Sequence, residues 1–492
     1  MLFTFDEGNR DREISYERDL MHQSINDDQK EVISAMKHSW DAYRTYAWGA
    51  DHLKPISKTS QNWFHTGLTI IDSMDTLLLM GPDMRYAYDQ ALEWLQHDLT
   101  FDIHRDVNCF ETTIRVLGGL LSSFHLTKSP DILHKAVDLA DRLIHCFDSG
   151  SSVPFSDVNL RTKTPASPAW SPESSLSEVS SMQLEFRDVS RLTGDARYEK
   201  KSFATSQHLH DLVRKRSDPL LPMYINPNTG DLSSSATVTL GARGDSYYEY
   251  LLKQFLQTDI QWLRDDYVDA MNAVSERLMK RTTGPQKLIF VSELMRGQQV
   301  NPKMDHLTCF LPGTLILGYY DQLKVHEKDG DKRFASHLSL AEDLARTCYT
   351  TYNMTETGLA PEITYFSTSD ESKEQEAYIK SADRHNLLRP EYVESLFYLY
   401  HITGKEVYRE QGRRILNSFN KYCKVQEGGF TSIDDVTHAD HVKPRDMMES
   451  FWTAETLKYL FLLFSDDKQL VNKILHHYVL NTEAHLIPRT LV

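Results

Sequence analysis

Two kinds of apolar pattern alternate along the chain. One is nearly continuous, as in TIIDSMDTLLLM, TTIRVLGGLLSSFHL, SMQLEFRDVSRL and ETLKYLFLLF. The other is amphipathic at helical spacing, as in YAYDQALEWLQ, ILHKAVDLADRL and EVYREQGRRILNSF. A helix that is apolar all round is buried, whereas an amphipathic one covers a core and faces water. Turn signals separate the members of each pair, at residues 80–83, 127–130, 193–195, 257–259, 322–333, 403–405 and 465–467. The pattern predicts seven helix–turn–helix units with an inner and an outer layer. Irregular spacing and the absence of polar caps favour a closed ring over an open helical solenoid. Convincing strands are almost absent, so the expected class is all-α.

The stretch RPEYVESLFYLYHITG illustrates one unit. Pro390 suits the first turn of a helix and Gly404 its stop, while Val393, Leu396, Phe397 and Tyr400 make an apolar face. Glu391 and Glu394 stand on one side of the first turn, near the positive end of the helix dipole. Taken alone, two such glutamates merely complement that dipole. Other units repeat the arrangement.

The segments between units are longer and richer in Pro, Gly and Ser, notably 156–178, 225–245 and 366–386. The Thr, Ser and Val residues of the second suggest a short hairpin. Long loops in a compact fold tend to be functional. Residues 1–27 are polar and without a sustained period, and read as a loosely ordered lead-in; regular structure is expected from 28 onward, as a single domain over 28–492.

Polar residues open each inner helix just after those long segments. They are Glu111 with Arg115, Glu178, Arg243 with Asp245 and Glu249, Asp305 with His306, Arg389 with Glu391 and Glu394, then Glu449 and Glu455. If the inner helices run parallel around an axis, these groups meet at one end of a barrel. Such a pocket suits paired carboxylates acting as general acid and base in glycoside hydrolysis, or a hard cation such as calcium held directly or through waters. Arginines and the aromatics Phe451 and Trp452 suit sugar hydroxyls and ring faces. Metal ligation by His306 is weakly supported, because no second histidine stands at ligand spacing.

The 492 residues carry a formal net charge of −16 and no Lys/Arg-rich run. That balance argues against nucleic acid or an anionic membrane as partner. No apolar run approaches the length of a membrane span, and the amino terminus is too acidic for a signal peptide. Five cysteines without a CxxC do not make a disulfide scaffold. Cys309 and Cys348 flank the fifth turn, and pattern alone leaves a bridge and two buried thiols equally open. Asn353-Met354-Thr355 is an N-glycosylation sequon, meaningful only in a secretory lumen.

At these residues the chain resembles the class I α-1,2-mannosidases, glycoside hydrolase family 47. The matching blocks are WGADHLKP, GLTIIDSMDTLLLMG, FETTIRVLGGLLSS, SEVSSMQLEFR, TLGARGDSYYEYLLKQ, KMDHLTCFLPGTLILG, DRHNLLRPEYVESLFYLY, ESFWTAETLKYLFLLFSDD and NTEAH. They run in order over about residues 30 to 487.

The resemblance implies an (α/α)7 barrel of seven helix hairpins with a small carboxy-terminal β-hairpin closing one end. It implies a calcium-dependent, inverting exo-α-1,2-mannosidase acting on high-mannose N-glycans. Glu111 and Asp245 match the two candidates for the general acid, Glu391 the general base, and His306 another residue of the catalytic pocket. Thr482 matches the sole direct protein ligand of the calcium ion. Glu391, Glu394, Glu455 and Glu483 would hold the ion's waters. Arg115, Glu178, Arg243, Arg389 and Phe451 match glycan contacts, and Cys309 and Cys348 the family's disulfide. The expected setting is the secretory lumen, endoplasmic reticulum or early Golgi, and the expected state a monomer.

Two departures are modest: Leu486 stands where the family usually has proline, and Trp452 where another aromatic is common. The membrane anchor usual in type II members is not seen. A degradation-enhancing mannosidase-like protein and a non-catalytic glycan-binding lectin are the rival readings. Retention of every acid and base position argues against the lectin.

Overall fold

The structure, a computed structural model, describes residues 25–169, 171–326, 330–368 and 375–489. Most of the expected lead-in, residues 1–24, lies outside them.

Seven inner helices form a ring: Leu68–Leu79, 109–127, Gln183–Thr193, Asp245–Thr258, 306–320, Glu391–Thr403 and 452–463. Every residue of the first is buried, as are twelve consecutive residues, 246–257, of the fourth. This is why their sequences read as apolar on all sides. Outer helices such as Arg85–His97 and Pro130–Leu143 bury one stripe only. Each expected turn falls between an inner helix and the helix that follows it. The inner helices end on left-handed residues at Lys128, Gly194, Asp259 and Gly404, the stop that αL geometry provides.

Closure distinguishes a barrel from a solenoid. The first inner helix packs on the last, with Ser73 Oγ donating to Thr453 Oγ1 at 2.8 Å and Thr76 Oγ1 to the Ala454 carbonyl at 3.1 Å. Pro390 caps the Glu391–Thr403 helix, and Gly404 stops it at φ 70°.

Two expectations about the periphery are corrected. The outer position beside the seventh inner helix is taken by the first helix, Asp27–Tyr46. It starts with an Asn26–Gln29 capping box and donates from Gln29 Nε2 to the Phe461 carbonyl at 3.3 Å. Trp452 Nε1 bonds Ser39 Oγ across the same seam at 2.9 Å. The helix Lys468–His477 instead leads into the terminal hairpin. Strands are also commoner than the sequence suggested: eight small sheets of two or three strands occur among the described residues. Their strands are two to four residues long, too short to show alternation. The segment 225–245 does turn back on itself as expected, in a minimal hairpin: Ile225 bridges Leu232 antiparallel, and the Asn226 N–H donates to the Asp231 carbonyl at 2.9 Å. Tyr224–Ile225 pairs with Ser174–Ser175, and Val238 bridges to Leu294.

The carboxy-terminal hairpin pairs Tyr478–Leu480 with Leu486–Pro488 and pushes its tip, Asn481 to His485, into the barrel. Asn481 Nδ2 donates to the Ile114 carbonyl at 2.9 Å and to Glu185 Oε1 at 2.7 Å. His485 lies 3.0 Å from Asp72 Oδ1 through Nε2 and 3.0 Å from Asp75 Oδ2 through Nδ1. Lys458 Nζ donates to Asp75 at 2.9 Å and to the Ala484 carbonyl at 2.7 Å. Burial alone would raise Asp75, but Lys458 and His485 outweigh it and hold its carboxyl down at about 2. Burying one leucine contributes about 1.5–3 kcal/mol. Stranding one charge of a buried pair costs about 3–5 kcal/mol, so this polar knot is a determinant of the hairpin's seat.

Among the described residues no helix is long and apolar enough to cross a membrane.

Candidate active site

The amino-terminal ends of the inner helices surround a cavity of about 350 Å³. Glu111, Arg115, Glu178, Arg243, Asp245, Arg389, Glu391, Glu394, Phe451, Glu455, Thr482 and Glu483 all line it. Residues spread over some 370 positions of sequence are thus brought together at one end, as the helix-opening pattern predicts. Glu249 lines it as well, whereas Asp305 and Glu449 are not in the wall. His306 is the exception among the expected pocket residues: it is buried behind the wall. Its Nδ1 lies 2.7 Å from Glu391 Oε2 and its Nε2 2.7 Å from the Tyr352 hydroxyl.

Glu111 and Asp245 differ sharply in surroundings. Asn108 caps the helix start that carries Glu111, and Glu111 Oε2 accepts from Arg115 Nε at 2.7 Å. Asp245 has no cationic partner among the described residues and accepts only the Ser246 N–H, at 2.9 Å. Burial pushes its carboxyl up to about 8, and the charges of Glu249 and Glu391 add to the effect.

Arg115 and Arg389 frame Phe451, their guanidinium carbons 5.6 and 5.7 Å from the ring centroid. Arg115 Nη1 also donates to Glu483 Oε1 at 2.5 Å. Arg389 forks onto Glu362, with Nε to Oε2 at 2.7 Å and Nη2 to Oε1 at 2.5 Å. Bidentate pairing of this kind fixes a guanidinium plane. Phe451 is thereby a rigid apolar face between two cations, suited to a sugar ring.

Glu178 combines a structural duty with its place in the wall. It closes a capping box with Ser175 and accepts from Asn108 Nδ2 at 2.8 Å. Arg243 sits at φ 77° and is hydrogen bonded to Tyr224.

Deeper in the cavity, burial pushes Glu394 up to about 8 despite the Lys253 ammonium 3.7 Å away. Glu455 and Glu483 are driven well above the carboxylate range by burial, and for Glu455 the neighbouring Glu483 charge adds to it. Thr482 stands on the hairpin tip beside them. Two of the turns that present these groups, Thr112–Leu117 and Trp452–Thr456, are π-helical, a distortion frequent at functional sites.

Cys309 and Cys348 are joined, with Cα atoms 5.9 Å apart, and the bridge ties an inner helix to its outer partner. Cys109, Cys146 and Cys423 are free and buried.

Several contributors had no place in the sequence reading. Lys253 and Lys458 are buried lysines inside apolar runs, and that incongruity was the available signal. Tyr352 acts on His306, Glu362 on Arg389 and Asn108 on Glu178 from segments distant in sequence, which no local pattern marks.

Residues 35–489 match the sequence profile of Glycosyl hydrolase family 47. The chain belongs to this family. Its family 47 relatives include the human protein named endoplasmic reticulum mannosyl-oligosaccharide 1,2-alpha-mannosidase, 47% identical over 466 residues, covering 94% of this chain and 64% of that protein. The chain thus spans slightly less than two thirds of that relative's length. A Schizosaccharomyces pombe protein of the same name is 42% identical over 462 residues, covering 92% of this chain and 87% of that protein. Among solved structures, an alpha-1,2-mannosidase from Trichoderma reesei superposes with a TM-score of 0.83 at 25% identity, over 95% of this chain and 100% of that one. The fold is the family's (α/α)7 barrel. Leu486, where family 47 leads one to expect proline, donates its N–H to Ser122 Oγ at 3.0 Å, a bond proline cannot make.

Proposed function

We propose that this chain is a calcium-dependent, inverting exo-α-1,2-mannosidase that trims α-1,2-linked mannose from high-mannose N-glycans in the secretory lumen. The observation that carries the reading is the single cavity in which acids from several inner helices meet the tip of the terminal hairpin. The names of the relatives supply the substrate class and the compartment.

Asp245, pushed up to about 8, keeps a proton near neutral pH and can deliver it to the leaving glycosidic oxygen. Glu111, ion-paired with Arg115, orients the same side of the cavity. Glu391 is the base for the attacking water, its carboxylate steadied by His306 and by Arg389 3.7 Å away. Asp245 and Glu391 stand on inner helices separated in the ring by the 306–320 helix. That arrangement suits an inverting pair, which needs room for a water between acid and base. Arg115, Arg389 and Phe451 hold the terminal mannose, while Glu178 and Arg243 meet the next sugars.

The donor set near Thr482 fits a hard cation. It offers the Thr482 oxygens among the Glu391, Glu394, Glu455 and Glu483 carboxylates, and oxygen ligands are what calcium takes. Among the described residues no three acids, histidines or cysteines converge closely enough to hold an ion, so these carboxylates would act through water. Crowded, buried acids such as Glu455 and Glu483 are relieved by a nearby divalent charge. When bound, calcium supplies orientation and charge for the sugar hydroxyls.

The test is a digest of a nine-mannose oligosaccharide with calcium or with chelator, its products resolved by chromatography. Calcium-dependent loss of one mannose supports the reticulum-type reading, and loss of several moves the chain toward broader trimming. Binding without cleavage would overturn the enzymatic reading in favour of a lectin.

A further inference from the structure

The turn that carries Arg243 into the cavity is held by an ion triad behind it. Lys303 Nζ donates to Asp305 Oδ1 at 2.6 Å and lies 3.2 Å from Glu293 Oε1. Each end of the triad grips the turn. Glu293 Oε1 accepts from Thr239 Oγ1 at 2.9 Å, and Asp305 Oδ2 accepts the Ala242 N–H at 3.2 Å. All three side chains are mostly buried, 11–16% exposed.

The turn is also shaped for this seat. A Cβ added at Gly241 would meet Asp305 Oδ2 at 2.2 Å, and one at Gly244 the Thr239 carbonyl at 2.3 Å. Arg243 itself adopts φ 77°, a conformation a non-glycine residue keeps only where its surroundings over-determine it. None of the triad lines the cavity.

We infer that Lys303 is a positioning residue that fixes the Arg243 turn and so sets how the outer sugars of the oligosaccharide are received. Its ammonium neutralises two carboxylates that would otherwise repel, and keeps both aimed at the turn. Without it, Glu293 and Asp305 separate and the strained turn relaxes. Asp245 donates its N–H to the Gly241 carbonyl of the turn at 3.0 Å, but it begins a helix buried throughout 246–257 that anchors it, so the larger loss falls on substrate recognition rather than on proton delivery. The inference rests on the mannosidase reading of the cavity.

The test is Lys303→Met assayed on the nine-mannose oligosaccharide, with Lys303→Arg as the conservative variant. The expected result for Lys303→Met is a KM raised about tenfold, equivalent to about 1.4 kcal/mol of lost binding, with kcat little changed. The order in which branches are trimmed should also shift, and Lys303→Arg should restore most of both. General destabilisation would lower the active fraction and leave KM and branch order alone. If Lys303→Met does not fold, Glu293→Gln carries the test, with a smaller rise in KM expected. Wild-type KM and branch order in the folded variants would overturn the inference, whereas a wild-type protein that does not trim would overturn the functional reading itself.

Discussion

His306 Nδ1 lies 2.7 Å from Glu391 Oε2 while its Nε2 faces the Tyr352 hydroxyl at the same distance. A carboxylate only accepts, so toward an ionised Glu391 the imidazole donates through Nδ1, and the Tyr352 hydroxyl holds the opposite nitrogen. The pair fixes where the Glu391 oxygens point. His306→Ala should lower kcat roughly 10- to 100-fold, with Tyr352→Phe showing a smaller loss. Glu391→Gln should abolish turnover while glycan binding persists, which calorimetry with the oligosaccharide would show.

The acid limb of the reaction follows from Asp245. Its carboxyl, held up to about 8 by burial, donates only while protonated. Activity as kcat/KM should therefore fall as pH rises through about 8. In Asp245→Asn that limb should vanish along with most activity. A pH–rate profile with the limb unchanged in the variant would take the proton-donor role away from Asp245.

Removal of the Thr482 hydroxyl should weaken the cation. Thr482→Val is expected to lose calcium-dependent activity and also the calcium-induced rise in melting temperature, since a ligand stabilises in proportion to ln(1 + [L]/Kd). Scanning calorimetry with and without calcium reads this independently of turnover.

The knot beneath the hairpin predicts a stability effect. Asp75→Asn leaves Lys458 and His485 short of their carboxylate and should cost about 3–5 kcal/mol in denaturant unfolding. The sign with pH is fixed: the Asp75 carboxyl is depressed in the folded state to about 2. Its contribution is full above the unfolded carboxylate value and is lost as pH falls toward 2.

Asn353 ends an outer helix and is exposed. Because outer helices run opposite to inner ones, that end lies on the cavity's side of the barrel. In a secretory lumen the sequon should carry an N-glycan, seen as an amidase-sensitive mass shift that Asn353→Gln removes.

The inner helices were legible because burial on all sides writes an apolar run, and their turns because Gly194, Gly404 and the αL-tolerant Asp259 announce themselves. Convergence of Glu111, Asp245, Glu391 and Glu455 was legible from their recurrence at helix openings. What lay beyond reach depends on partners far apart in sequence. His306 reads as a wall residue until Tyr352 and Glu391 are seen to hold it. Glu178 reads as a sugar contact, yet its carboxylate is also occupied by Ser175 and Asn108. The seat of the first helix beside the seventh inner one rests on Trp452 and Ser39, 413 residues apart.

The depth of the terminal hairpin bears on how the protein comes into being during synthesis. Asp72, Asp75, Glu185 and Arg115 are all made before their partners Asn481, Glu483 and His485, which follow them by 296 to 413 residues. Until then the ring has an open throat lined by mismatched charges. A chain stalled short of residue 480 would hold its inner helices and most of the cavity wall but would lack Thr482 and Glu483, so the donor set for the cation is completed only when the hairpin tip is inserted.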